Sequence, residues 1–346
     1  MKLSKNLRLA VVALAASCVT MAASAQDNVL LGAGSTFVYP LFSKMFSQYT
    51  ASKVNYQPIG SGGGILQLTN KTVDFGDSDA PLNDDQTKKM SAEVLHIPMA
   101  SGAVVVTYNV PGVAGGLKLS GKDLADIYLG KVTKWNSPEV KDSNPGVNLP
   151  DLPILVIHRS DGSGTSFIFT DFLTKVNPEW ASKVGKASAV NWPAGLGGKG
   201  NEGVAGLVKQ TPGAIGYIEL AYAIQNKMPF ADIQNKSGKF ITPTLAATTL
   251  ASNVVIPADS KVSITNTDNP KGYPIASFTW ALIYKEQNYG GRSKARATEL
   301  VKLLWWNIHQ GQANCAPLNY APLSKSAVKV AETILKSATY GGKAIL

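Results

Sequence analysis

Three stretches of the chain place glycine beside serine or threonine directly ahead of a helix-like pattern. The first is Gly32-Ala33-Gly34-Ser35-Thr36-Phe37, and the second is Ile59-Gly60-Ser61-Gly62-Gly63-Gly64. The third runs Arg159-Ser160-Asp161-Gly162-Ser163-Gly164-Thr165-Ser166-Phe167. The first N–H groups of a helix have no intrahelical partner, and the macrodipole is positive there. Glycine lets backbone approach a ligand closely and hydroxyls add neutral donors, so each stretch is suited to hold an oxyanion. Each one alone reads more readily as a Ser/Thr cap after a tight turn, because such caps are common. Three together, with Arg159 supplying a charged two-pronged donor, point to convergence on one anion. Asp161, two residues on, either steadies that guanidinium or simply occupies the turn.

Residues 73–81 (Val-Asp-Phe-Gly-Asp-Ser-Asp-Ala-Pro) add a second element of chemistry. A carboxylate repels an anion unless the anion brings a proton. Asp79 can then accept a hydrogen bond from a protonated phosphate and would be left unpaired against sulfate. An unpaired, desolvated carboxylate costs about 1–3 kcal/mol or more, enough to reject the analogue. Asp79 can equally cap a helix expected over residues 83–90. The sequence leaves both readings open.

Other chemistries fail on spacing. His96, His158 and His309 are scattered, with no metal-ligand spacing around any of them. Gly195-Leu196-Gly197-Gly198-Lys199-Gly200 matches G-x-G-x-x-G, but Asn191-Trp192-Pro193-Ala194 before it does not read as a strand. Gly200 also stands where a phosphate-binding P-loop needs Ser or Thr. Neither Ser61 nor Ser163 completes G-x-S-x-G, because Ile59 and Asp161 take the place of the first glycine. No cofactor is expected.

The elements that must carry these loops alternate. Apolar runs at 29–31, 54–56, 103–108, 154–157, 215–217 and 278–284 read as strands, with helical periodicity between them. The clearest helix carries Val38, Leu41, Phe42, Met45, Phe46 and Tyr49 on one face. Alternation of this kind argues an α/β protein, and 346 residues allow two domains at roughly 100–200 residues each. Residues 142–153 read as an irregular Pro/Asn-rich loop.

Residues 1–25 read as a secretory signal, with Lys2, Lys5 and Arg8, an apolar centre and Ala23-Ser24-Ala25 at the cleavage site. The formal net charge of +10 therefore loses three units with the leader. The remaining excess is dispersed, without the basic–aromatic interleaving that tracks nucleic acid, so no nucleic-acid partner is expected. Cys18 faintly resembles a lipidation site, but Ala15 and the better site at Ala25 argue against an anchor. Without Cys18, Cys315 has no disulfide partner and reads as a packed small hydrophobe.

At these residues the chain resembles the periplasmic phosphate-binding protein family of bacterial phosphate ABC transporters. The likeness runs through residues 32–37, 54–57, 59–61, 73–76, 78–82, 126–131, 161–167, 195–201 and 212–217. It implies a two-lobed, type II-like binding protein in which two crossovers form a hinge. The resemblance assigns 26–103 with 279–346 to lobe 1 and 104–278 to lobe 2. It also implies phosphate ligands at Thr36, Phe37 (through its N–H), Ser61, Asp79, Arg159, Ser163, Gly164 and Thr165, with Asp161 pairing Arg159. The implied role is reversible capture of inorganic phosphate in the periplasm by a monomer, without metal or catalysis. Delivery to an inner-membrane ABC permease would follow. The rival is a secreted phosphate-ester hydrolase using Ser61, Ser163 or Thr165, which needs an activating base or metal. A receptor for another oxyanion, or a phosphate binder with an adhesive role, also remains open.

Overall fold

The structure is a computed structural model describing residues 29–346. The leader, with Cys18 and the cleavage site, lies outside the described residues. Eight strands build one sheet: β1 (Val29–Gly34), β2 (Lys53–Gln57), β3 (Phe75–Ser78), β4 (Val94–Tyr108), β5 (Leu155–Arg159), β6 (Leu196–Gly198), β7 (Ala214–Glu219) and β8 (Ala276–Tyr284). Their order is β2-β1-β3-β8-β4-β7-β5-β6. The outer trios β2-β1-β3 and β7-β5-β6 are parallel, and the joins through β8 and β4 are antiparallel. The fold is an α/β architecture of two parallel half-sheets joined by β4 and β8.

Two strands tie the lobes together. Residues 94–103 of β4 pair with β8, and residues 104–108 of the same strand pair with β7. All of β8 and nearly all of β4 are buried, which is why their apolar runs are so legible. The register of β4 against β8 shifts at Thr279/Trp280, a bulge that leaves one extra β4 residue, Met99, between the partners. Bulges re-aim side chains, and this one lies beside Thr279.

Each lobe has its own aromatic core. Phe42, Phe46, Tyr56 and Phe75 pack around β1–β3, and Tyr128, Phe169, Trp192 and Tyr217 pack around β5 and β7. The expected stripe on α1 (Tyr39–Gln48) does face inward, with Leu41, Phe42 and Met45 buried. Helices follow the three glycine loops: α1 after the first, α2 (Ser61–Thr69) after the second, and, beyond α3 (Asp84–Lys89), α4 (Gly164–Val176) after the third. Cys315 is buried, with no disulfide partner among the described residues. No described helix is long and apolar enough to cross a membrane.

Candidate functional site

The three glycine loops meet. Ser35, Thr36 and Phe37 leave β1, Ser61 opens α2, Asp79 follows β3, and Arg159 ends β5 ahead of Ser163–Thr165 at the start of α4. All are buried, although several lie in loops between elements. Contacts cross directly between the lobes. The Gly62 N–H donates to Gly162 O at 2.8 Å, and the Gly164 N–H donates to Ser61 Oγ at 3.1 Å. The backbone comes so close that a Cβ on Gly164 would lie 2.5 Å from Asp79 Oδ2 and 2.6 Å from Ser61 Oγ.

Turn chemistry explains why the loops can converge. Gly60 holds φ +86°, a conformation L side chains rarely adopt, and a Cβ there would meet the Asp161 carboxylate. Ser163 caps α4 by accepting from the Ser166 N–H at 3.0 Å, so its own hydroxyl hydrogen is free to donate elsewhere. Capping and ligation are compatible for this residue. Phe37 presents its N–H to Ser35 Oγ at 2.9 Å, while its carbonyl accepts from the Tyr320 hydroxyl at 2.6 Å.

Arg159 is fixed from several directions. Its Nε and Nη2 donate to the two oxygens of Asp161 at 2.8 and 2.6 Å, and Nη1 donates to Thr165 Oγ1 at 3.3 Å. Its backbone N–H donates to the Tyr217 hydroxyl, which also pairs with Ser166 Oγ. Burial raises the Asp161 carboxyl, but the hydrogen bonds and charge of Arg159 outweigh it and hold the group below its usual range. Asp161 is thus the partner of the guanidinium and more than a turn residue.

Asp79 is the opposing group. Its Oδ2 accepts from Ser35 Oγ at 2.6 Å and its Oδ1 from Thr279 Oγ1 at 2.8 Å. Burial pushes its carboxyl up to about 6, against the hydrogen bonds of Ser35 and Thr279, the charge of Arg159 and the hydrogen bond with Ser61. The alternative role as a helix cap belongs to Asn83 instead. Asn83 Oδ1 accepts from the Gln86 N–H, and Gln86 Oε1 accepts from the Asn83 N–H, a reciprocal capping box on α3.

These features place an arginine and a carboxylate against one set of hydroxyls and helix N-termini. The chain matches the PBP superfamily domain over residues 21–302. It is 42% identical over 308 residues to the phosphate-binding protein PstS of Xylella fastidiosa strain 9a5c, covering 87% of this chain and 83% of that one. The PstS of Pasteurella multocida is 41% identical, covering 90% of both chains. The chain belongs to the PstS family. Among solved structures, a high-affinity periplasmic phosphate-binding protein shares the fold at TM-score 0.69 and 20% identity, covering 87% of this chain and 92% of that one. A substrate-binding protein from Clostridium perfringens shares it at TM-score 0.62 and 17% identity, covering 86% of this chain and all of that one.

The structure also adds residues that sequence reasoning missed. Asn201, the second residue of α5 (Gly200–Gln210), donates from Nδ2 to Thr36 Oγ1 at 2.8 Å and to Thr165 Oγ1 at 3.2 Å. Its own N–H reaches Thr36 Oγ1 at 3.1 Å, and its Oδ1 accepts from the Glu219 N–H. The discarded glycine pattern at 195–200 is therefore a fourth strand–glycine–helix junction, running from β6 into α5. Residues 191–194 indeed form no strand, but Leu196–Gly198 do. Tyr222 closes the same contact by donating to Thr36 O at 2.6 Å. Thr279, on β8, is the other addition.

Proposed function

We propose that this protein captures inorganic phosphate between its two lobes in the periplasm and delivers it to an inner-membrane ABC permease. The names of the PstS relatives and the phosphate-binding structural neighbours support the ligand. The observation that carries the reading is the meeting of Arg159 and Asp79 in one buried shell of hydroxyls and amides. Arg159 and the hydroxyls of Thr36, Ser61, Ser163 and Thr165 suit an anion, and the Phe37 and Gly164 N–H groups, which here donate to Ser35 and Ser61, would turn to it on binding. Asp79 asks that the anion carry hydrogen. Hydrogen phosphate and dihydrogen phosphate satisfy both demands, and sulfate at neutral pH does not.

The proposed lobes are 26–103 with 279–346, and 104–278, joined by β4 and β8, with closure bringing Arg159–Thr165 onto Thr36, Ser61 and Asp79. Binding is read as reversible and non-catalytic, by a monomer freed of its leader. The histidines support this, because each is engaged elsewhere. His96 Nε2 accepts from the Leu82 N–H, the His158 ring stacks on Trp192, and His309 pairs with Glu332.

Thermal unfolding with phosphate, sulfate, arsenate or no anion tests the reading. Phosphate at 100 times its dissociation constant stabilises by about 2.7 kcal/mol. Arsenate, which carries a proton, is expected to group with phosphate and sulfate with the ligand-free protein. Equal shifts with phosphate and sulfate would overturn the reading.

A further inference from the structure

A second carboxyl lies beside Asp79. Asp77 stands two residues earlier on β3, opposite Ala281 of β8, so Asp77, Asp79 and Thr279 point to one face of the sheet. Asp77 is fully buried, and its Oδ2 has no hydrogen-bond partner among the described residues. Its Oδ1 lies 2.9 Å from Thr279 Oγ1. That same Oγ1 lies 2.8 Å from Asp79 Oδ1. A threonine hydroxyl has one hydrogen to give. With both carboxyls ionised, one of the two contacts would set lone pair against lone pair. Asp77 would then be a buried charge with no committed donor, which costs far more than neutralising it.

The surroundings offer Asp77 no countercharge. The sequences of β1, α2 and β8, which pack against β3, contain no charged residue. Tyr56 of β2 and Asp79 are the titratable groups that act on it or feel it, and Arg159, across the cleft, acts on Asp79. Burial, then the charge of Asp79, push the Asp77 carboxyl well above its usual range against the single bond to Thr279.

We propose that Asp77 is a positioning residue: it keeps a proton, its carboxyl O–H donates a hydrogen bond to Thr279 Oγ1, and the threonine hydrogen is thereby turned towards Asp79. The relay makes Thr279 a donor to Asp79 just as Ser35 is, and commits Asp79 to the ionised, accepting state. Asp79 then accepts the hydrogen of a protonated oxyanion. This step rests on the phosphate reading of the site.

Two variants of the full mature chain test it, Asp77→Asn and Asp77→Ala. Each is titrated with inorganic phosphate by calorimetry from about pH 5 to about pH 9, spanning the range where a raised carboxyl titrates. Infrared difference spectra of ligand-free wild type against Asp77→Asn isolate the Asp77 carboxyl from other buried acids. Asparagine keeps a neutral donor facing Thr279, so affinity is expected within about threefold of wild type, with the same pH profile. Alanine removes the donor and is expected to weaken binding about tenfold, the scale of one lost hydrogen bond. The neutral-carboxyl band of wild type should persist near pH 8 and vanish in Asp77→Asn. An absent band overturns the proposal. So does phosphate binding at least tenfold tighter in Asp77→Asn, because that is the effect of deleting a negative charge beside an anion. If wild type does not bind phosphate at all, the phosphate reading fails, and the infrared band alone decides whether Asp77 holds a proton.

Discussion

Asp79→Asn is the substitution that separates selectivity from affinity. In the structure each Asp79 oxygen already accepts one hydrogen bond, Oδ2 from Ser35 and Oδ1 from Thr279. A protonated ligand fills a remaining lone pair, whereas sulfate faces that lone pair with another one. The penalty of an unsatisfied, desolvated charge is about 1–3 kcal/mol or more, and 1.4 kcal/mol is tenfold, so this single group supplies roughly 5-fold to 150-fold discrimination. The amide of asparagine is nearly isosteric but offers a donor, and it removes the negative charge facing the anion. Sulfate affinity is therefore expected to rise, and the phosphate-over-sulfate ratio to fall by about tenfold to a hundredfold. Phosphate binding itself should change less, because it loses an acceptor and gains relief from repulsion. Calorimetric titration of both anions at one pH, with circular dichroism to confirm the fold, measures the ratio directly. An unchanged ratio would refute the proton-acceptor argument, even if phosphate still bound tightly.

Three further outcomes follow from the same geometry. Gly164→Ala places a methyl group 2.5 Å from Asp79 Oδ2, so closure is obstructed. At overpacking costs of about 1–3 kcal/mol, phosphate should bind roughly 5-fold to 150-fold more weakly while ligand-free stability changes little; unaltered affinity in titration would contradict the close approach. Asn201→Ala removes the amide linking Thr36 to Thr165 and strands the buried Glu219 N–H, so a loss of about 1–3 kcal/mol of stability and weaker phosphate binding are expected in denaturant titration and calorimetry. Stability of the ligand-free protein should fall as pH rises from about 4 towards 6 and beyond, and Asp79→Asn should flatten that slope. The sign follows from raised folded-state values: burial lifts the carboxyls of Asp77 and Glu219 well above their usual range and that of Asp79 to about 6, so the folded chain keeps protons that the unfolded chain has released. Rising stability over that window in pH-resolved denaturant melts would count against it.

What the sequence reveals follows the burial. Strands with long apolar runs are legible because both faces of β4 and β8 are covered, which demands an unbroken hydrophobic pattern. The first nine residues of β4 escape the pattern, since His96, Pro98, Ser101 and Gly102 interrupt it. His96 is tolerated there because burial, then the charge of Lys261, lower it to about 3 and keep it a neutral acceptor. β3 and β6 are invisible for a related reason: Phe-Gly-Asp-Ser and Leu-Gly-Gly carry too few apolar residues to show a period. The glycine loops are legible because their spacing to a helix start is local. Asn201 and Thr279 are not, because they act on residues 165 and 200 positions away in the chain. Only the sheet order, which brings β8 between β3 and β4, puts Thr279 beside Asp79.

The distribution of charge shows how a basic protein could hold a small anion by something other than bulk charge. Lysines are spread over the surface, with several paired at exposed positions where ion pairs contribute little. In the buried site Arg159 is matched by Asp161, so the guanidinium would meet an anion with its charge largely spoken for. On the proposed reading of the site, Asp79 opposes the anion outright. Attraction must then come from oriented N–H and O–H dipoles, which lose strength steeply with distance and angle. A site of that kind rewards a ligand of the right size and proton count and gives little to an anion that merely carries charge. Buried dipoles are also screened far less by salt than surface lysines are. On the proposed reading, selectivity and indifference to bulk charge would both follow from one choice: neutral donors held by glycine turns, with a carboxylate set among them.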